Sequence, residues 1–207
     1  MKRKVGRHGT ATLTISLPSD WVKKFKIKQG DELDLEERGN KILVQPYDEL
    51  VEKEIVIIIE EKENIPKRLV VPYYIQGYNK IKIKYKHHEV RSYVQNLLAN
   101  YLMGFEIVEQ GQNYFVLKNV SKGIEDEFDV MLNRLAIINI SLLNDLYEAL
   151  RKNDLSLLQE VHIAEMSANK ISVFCRRMLN LIGHKEKAPA GLYAIVKDLE
   201  GISDHCN

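Results

Sequence analysis

Apolar residues change their spacing along this 207-residue chain, from every second position near the start to every third or fourth position later on. Alternation is typical of a strand with one buried face, and the wider spacing is typical of a helix with one buried stripe. One uniform architecture cannot satisfy both patterns. We therefore expect a multidomain protein with α and β structure, divided at about 1–47, 51–120 and 121–207.

The first segment, 1–47, predicts a small β unit with one short helix. Residues 10–16 alternate, residues 18–20 (Pro-Ser-Asp) supply a fixed φ and capping oxygens for a helix, and residues 38–40 (Arg-Gly-Asn) predict a hairpin turn. A unit of this size buries too little surface to be stable alone. We therefore expect a partner protomer, in a homodimer.

The second segment, 51–120, predicts the order strand, helix, strand, helix, strand, strand. β-branched residues dominate 54–60, polar and apolar residues alternate over 80–85 (Lys-Ile-Lys-Ile-Lys-Tyr), and helical spacing runs through 90–103. The expected fold is a small α/β domain. It contains no glycine-rich phosphate loop and no acid–base constellation, so we expect a structural or dimerising role and no enzymatic activity.

The third segment, 121–207, predicts a bundle of three helices, because its apolar residues recur at alternating spacings of three and four. Asn153-Asp154 is expected to end the first helix, and the second ends before Pro189. The third stripe continues up to Asn207, so we expect either a longer natural protein or another subunit over that face. The outer helices carry the stripes Ile124, Phe128, Met131, Leu135, Ile138 and Leu142, and Leu192, Ile195, Leu199, Ile202 and Cys206.

Positive charge is concentrated at the amino terminus. Residues 1–28 hold eight lysines and arginines against one aspartate, a formal charge of +7, whereas the whole chain has a net charge of +1. Lysine and arginine bind phosphate groups because each contact releases condensed counterions. The alternative is a solvated lysine-rich surface without a nucleic-acid ligand. The candidate DNA-binding residues are Arg3, Lys4, Arg7, Lys23 and Lys24.

Composition excludes several other classes of protein. No uninterrupted apolar stretch approaches the ~18–20 residues that span a bilayer, and the start, MKRKVGRHG, lacks the apolar region of a signal peptide. Cys175 and Cys206 are too few for a disulfide framework. We therefore expect a cytoplasmic protein without direct membrane insertion.

Residues 1–47 resemble the AbrB/SpoVT family. The resemblance lies in residues 3–5 (RKV), 17–21 (LPSDW), 27–35 (IKQGDELDL) and 42–46 (ILVQP). It implies a swapped-hairpin dimer that binds DNA, with Arg3, Lys4 and Lys23 among the basic residues that face the DNA. Some members of this superfamily serve instead as antitoxins or as dimerisation modules.

Residues 121–207 resemble one three-helix repeat of the PhoU family, which regulates phosphate uptake. The resemblance lies in residues 147–158 (YEALRKNDLSLL), 165–171 (EMSANKI) and 197–207 (KDLEGISDHCN). The family carries E(D)xxxD motifs that ligate iron, zinc or similar cations. The resemblance implies a divalent or iron-type metal ion, with the ligands Glu200, Asp204, Glu165 and Asn169, where Asn169 replaces the second acid of its motif. The alternative is that these acids, four residues apart on a helix, are solvated.

The three segments together resemble archaeal phosphate-uptake regulators. The resulting hypothesis is a homodimeric transcriptional regulator whose first segment binds DNA and whose PhoU-like helices sense a phosphate-related signal. The second hypothesis is a metal-dependent signalling adaptor that does not bind DNA. Such an adaptor would contact a phosphate transporter or a signalling kinase, and its first segment would only dimerise.

Overall fold

The computed structural model describes residues 2–10, 12–38, 41–46, 53–60, 66–87, 89–121, 127–184 and 187–206. The chain divides into two compact units, Met1–Val51 and Glu52–Asn207. We call the first unit the head and the second unit the body. Apart from residue 51, the predicted segments 51–120 and 121–207 both belong to the body, and the domain boundaries drawn from the sequence remain predictions.

The head consists of two hairpins and a short helix. Strand β1 (Gly6–His8) pairs antiparallel with β2 (Thr12–Thr14), and β3 (Leu33–Arg38) pairs antiparallel with β4 (Lys41–Pro46). Helix α1 (Ser19–Lys24) lies between them in the chain. The predicted hairpin is therefore confirmed by β3 and β4, while residues 39–40 of its turn lie outside the described residues. The pairing of β1 with β2 was not predicted, because residues 1–8 were expected to form a flexible basic arm.

The capping oxygens predicted for α1 are wrong. The N-cap position is occupied by Pro18, and no side chain accepts a hydrogen bond there. The reason is chemical: proline has no side-chain oxygen, and Ser19 already lies within the helix. The fixed φ of Pro18, at −63°, is the feature that favours the start of the helix.

The body begins with a four-stranded sheet and two helices in the predicted order. The strands lie in the order β5-β6-β8-β7, where β5 and β6 are parallel and the other pairs are antiparallel. In β6, Ile81, Ile83 and Tyr85 are buried in the core, and lysines occupy the alternate positions. The elements are β5 (Glu54–Ile59), α2 (Pro66–Ile75), β6 (Lys80–Tyr85), α3 (Val90–Asn100), β7 (Phe105–Gln110) and β8 (Tyr114–Asn119).

Three long helices complete the body: α4 (Phe128–Lys152), α5 (Leu155–Leu181) and α6 (Pro189–Asp204). The predicted helical C-terminal region is confirmed. The α4 stripe is also confirmed from Phe128 to Leu142, while Ile124 lies outside the described residues. Among the helices that the structure describes, none has the length and apolar composition needed to cross a membrane.

The junction between α4 and α5 follows the prediction. Asn153 adopts a left-handed conformation with φ of 55°, which ends α4. Asp154 then caps α5, because its carboxylate accepts hydrogen bonds from the backbone N–H groups of Ser156 (3.0 Å) and Leu157 (3.3 Å). The stripe predicted for α6 is partly wrong: Leu192 and Val196 are buried, but Ile195 and Ile202 are exposed.

Helix α6 turns the stripe of Leu192, Val196, Leu199 and Ser203 toward the bundle, at spacings of four, three and four. A helix buries one continuous stripe, and Ile195 and Ile202 lie outside the one that contacts the bundle. Contact with α5 therefore decides which residues of α6 are buried.

Side chains of α5 attach the helical bundle to the α/β part of the body. Arg177 donates from Nη1 to the backbone oxygens of Tyr74 and Tyr78. Asn180 donates to the backbone oxygen of Ile75 (3.0 Å) and Lys170 to that of Ala99 (2.6 Å). These acceptors lie at or just beyond the carboxyl ends of α2 and α3, where backbone carbonyls lack helical partners and cations are favourable. Side chains of α5 therefore donate hydrogen bonds to backbone oxygens at the carboxyl ends of both α2 and α3.

Candidate nucleic-acid interface

All five predicted DNA-binding cations lie in the head and are exposed. Arg3 and Lys4 belong to the chain before β1, and Arg7 lies in β1 opposite Leu13. Lys23 and Lys24 occupy the last turn of α1. Among the described residues, none of the five forms an ion pair with a carboxylate.

Local packing positions the basic end of α1. The rings of Trp21 and Phe25 are 5.4 Å apart, and Nζ of Lys24 lies 5.3 Å from the centroid of the Phe25 ring. A cation over an aromatic face is attracted by the ring quadrupole, which restrains the lysine without neutralising it. Lys24 therefore keeps its charge at the surface of the head.

The head leaves its apolar side chains in water. No side chain of the head is buried among those that the structure describes. Five large aliphatic residues keep 63–69% of their surface exposed. Covering apolar side chains stabilises a folded unit, so these exposed residues form a surface suited to a partner. The five residues are Val5, Leu13, Ile15, Leu35 and Ile42.

The metal ligands predicted in the third segment fall into two groups. Glu165 is buried, with 6% of its surface exposed, and accepts a hydrogen bond from the side-chain amide of Asn169. Burial raises the pKa of Glu165, and the nearby charge of Asp204 raises that pKa further, while His162 acts in the opposite direction. Glu165, Asn169 and Asp204 thus share one electrostatic environment between α5 and α6.

Glu200 instead makes contacts with cationic side chains. Its carboxylate lies 2.8 Å from Nζ of Lys197 and 3.5 Å from Nη2 of Arg176. Within the described part of the chain, no group of three or more His, Cys, Asp or Glu side chains is arranged to hold a metal ion. The structure therefore does not bring the predicted ligands into one donor set.

Two contacts of this region were missed from the sequence. Nδ1 of His162 lies 3.7 Å from the Glu165 carboxylate, and Lys67 of α2 is close enough to lower the pKa of that carboxyl. The spacing of three residues between His162 and Glu165 was a usable signal, because residues three apart on a helix are neighbours. Lys67 comes from a distant part of the chain and gave no signal.

Comparison with known proteins supports the assignment of the head. Residues 7–50 match the family described as antidote-toxin recognition MazE, bacterial antitoxin. The match covers the hairpins and α1, and it supports an AbrB/MazE-like domain at the amino terminus, consistent with a DNA-binding regulator or an antitoxin. No curated protein and no solved structure matches the chain significantly.

Proposed function

We propose that this protein is a homodimeric, DNA-binding transcriptional regulator. The AbrB/MazE-like match at residues 7–50 carries the proposal, because domains of this kind bind DNA and are typically dimeric. The exposed cations of the head supply the phosphate contacts. Its uncovered aliphatic residues supply the reason for pairing, in the swapped-hairpin arrangement that the family resemblance implies.

Removing three of the head cations tests DNA binding. We expect the triple variant Arg3→Ala, Lys4→Ala and Lys23→Ala to bind duplex DNA at least about a hundredfold more weakly at low salt. Because six side chains are lost per dimer, the slope of log affinity against log salt should become shallower by about 5. Fluorescence anisotropy of labelled DNA at several salt concentrations measures both quantities.

A variant with the same loss of charge in the body is the control. Lys53, Arg68 and Lys84 are exposed and lie outside the head, so replacing them with alanine should leave the affinity and the salt slope nearly unchanged. Equal binding by the head variant and the body variant would show that the basic arm and α1 do not contact DNA.

A second candidate function follows from the family description. The matched model describes antitoxins, so the head could instead recognise a protein toxin. The DNA titration separates the two functions: a toxin-binding head without DNA affinity would give a flat salt slope for the wild-type protein.

For the body, we propose a sensor of a phosphate-related signal, as the PhoU resemblance implies. A transporter or signalling kinase is the proposed partner. Support comes from the bundle of α4, α5 and α6, whose long helices agree with a three-helix repeat. A ligand of the body regulates DNA binding only if it has different affinities for two arrangements of the dimer.

A divalent cation remains a proposal for the body. Glu165 and Asp204 repel one another, and a bound cation would neutralise both carboxylates. Glu200 could join them only after leaving Arg176 and Lys197. We expect zinc or ferrous iron to raise the melting temperature of the wild type but not of the Glu165→Gln variant. No response in the wild type would contradict the metal proposal.

The raised pKa of Glu165 also predicts a pH effect without metal. The Glu165 carboxyl binds its proton more tightly in the folded chain than in the unfolded chain. The charged carboxylate therefore lowers the stability of the fold when the pH is above the folded pKa. This destabilisation fades as the pH falls below the folded pKa. We expect Glu165→Gln to raise the melting temperature at pH 7. The gain should vanish near pH 4.

Thermal unfolding by circular dichroism at several pH values measures this gain. Glu160→Gln is the matched control, because Glu160 lies on the same helix but is exposed. A control with the same gain as Glu165→Gln would mean that burial of Glu165 is not the cause.

A further inference from the structure

Helix α4 carries a second apolar stripe, on the side away from its buried residues. The buried side includes Phe128, Leu135 and Leu142, and successive residues of a helix are separated by about 100°. Soluble monomers rarely leave so long an apolar stripe in water. The members of this second stripe keep 46–69% of their surface exposed, and they are Val130, Ile137, Ile140, Leu143, Tyr147 and Leu150.

The exposed stripe repeats every seven residues. Val130 is seven residues from Ile137, and Ile140 is seven residues from Tyr147. Leu143 and Leu150 show the same interval. A seven-residue repeat with internal spacings of three and four is the pattern of two helices packed as a coiled coil. The stripe therefore fits a partner helix with the same repeat.

We propose that a second copy of this chain covers the stripe, with the two α4 helices antiparallel. Sliding one helix along the other gives a register in which Ile137 faces Ile140, Val130 faces Tyr147, and Asn133 faces Asn144. In this register apolar side chains meet apolar side chains, and the asparagines meet each other. Polar residues at core positions of a coiled coil fix its register.

The charges of α4 favour the antiparallel orientation. Asp129 lies in the first turn of the helix, 3.7 Å from Nζ of Lys187. Arg151 and Lys152 lie in the last turn, where both pair with Glu148 and leave that end with one net positive charge. An antiparallel pair places the acidic end of each helix beside the basic end of the other, whereas a parallel pair would place like charges together. A two-fold axis then makes the contact closed and self-complementary. This contact is separate from the DNA-binding role of the head.

Cysteine crosslinking in the 207-residue chain tests the register. We expect a mixture of the Asn133→Cys and Asn144→Cys variants to form a covalent dimer in oxidised glutathione. Each variant alone should give no more dimer than the wild type, whose own cysteines are Cys175 and Cys206. In a dimer of two Asn133→Cys chains, each cysteine would face Asn144 of the other chain. The two cysteines would then be separated by 11 residues along the helix axis, about 16 Å, which is too far for a disulfide.

A charged residue within the stripe tests the contact itself. Adding Ile137→Glu to both cysteine variants should remove the crosslink. Adding Ile163→Glu instead should leave it, because Ile163 is exposed to a similar extent but lies on α5.

Three results would overturn the proposal. One is a crosslink in each single variant, which indicates parallel helices. Another is a mixture that gives no more dimer than the wild type, which means that another protein or solvent covers the stripe. The third is that Ile137→Glu and Ile163→Glu reduce the crosslink equally. DNA binding, measured separately, does not depend on any of them.

Discussion

Replacing Leu13 and Leu35 with aspartate is expected to unfold the head and to abolish DNA binding. Both side chains are 69% exposed in the single chain, and we infer that the partner head buries them. Burying a leucine contributes about 1.5 kcal/mol or more, so four leucines per dimer contribute roughly 6 kcal/mol. Losing this contribution weakens head pairing by roughly four orders of magnitude.

The fluorescence of Trp21 reports this unfolding, because it is the sole tryptophan of the sequence and lies half-buried in the head. We expect its emission to shift to longer wavelength in the double variant, together with the loss of DNA affinity. Leu155→Asp with Ile163→Asp is the matched control, since both residues are highly exposed on α5. An unchanged Trp21 emission in the head variant would show that these leucines are not needed for the fold of the head.

Replacing Arg177 with methionine is expected to destabilise the body by about 3 kcal/mol or more. Only 1% of the Arg177 surface is exposed. Its guanidinium bonds the oxygens of Tyr74 and Tyr78 (2.9 Å) and Oδ1 of Asn79 (2.6 Å), and its carbon lies 4.7 Å from the centre of the Tyr74 ring. Methionine fills similar space but removes the donor to the Tyr78 oxygen and to Oδ1 of Asn79, at about 1–3 kcal/mol each, while the Tyr74 oxygen keeps the backbone N–H of Gly77 (3.0 Å).

Thermal unfolding of the 207-residue chain measures this loss, and a fall of about 6–12 °C corresponds to about 3 kcal/mol. Arg177→Lys should fall between the wild type and Arg177→Met, because lysine keeps the charge but cannot donate as a planar fork. Arg68→Met is the control, because Arg68 is exposed on α2. A change of less than 1 kcal/mol in Arg177→Met would mean that other contacts hold α5 to α2.

The order of elements in the body could be predicted from the sequence because each element shows its own period. Lysine and isoleucine alternate through β6, and the observed strand has the predicted bounds. Asn153-Asp154 ends α4 as expected, because a left-handed residue followed by a capping aspartate is a local signal. In α6 the same reasoning wrongly predicted that Ile195 and Ile202 are buried. Apolar spacing alone cannot distinguish neighbouring stripes of an apolar helix, because contact with a partner helix decides which stripe is buried.

The residues of the candidate site could be predicted only where the charges or motifs that indicate them lie close together in the sequence. The basic arm and Lys23 with Lys24 were visible as a charge excess within 28 residues. The surroundings of Glu165 were not visible, because Asp204 and Lys67 come from different helices. No local sequence pattern indicated that Arg177 is buried and hydrogen-bonded, because its partners lie about a hundred residues earlier in the chain.

The sequence by itself determined the helices and strands, the basic amino terminus and the resemblance of the head to DNA-binding domains, because periodicity, charge and motif are properties of neighbouring residues. Only the tertiary structure decided which stripe of each helix is buried, how α5 closes the ends of α2 and α3, and that Glu200 pairs with Arg176. Those outcomes depend on which distant surfaces meet, and burial and ion pairing exist only after they have met.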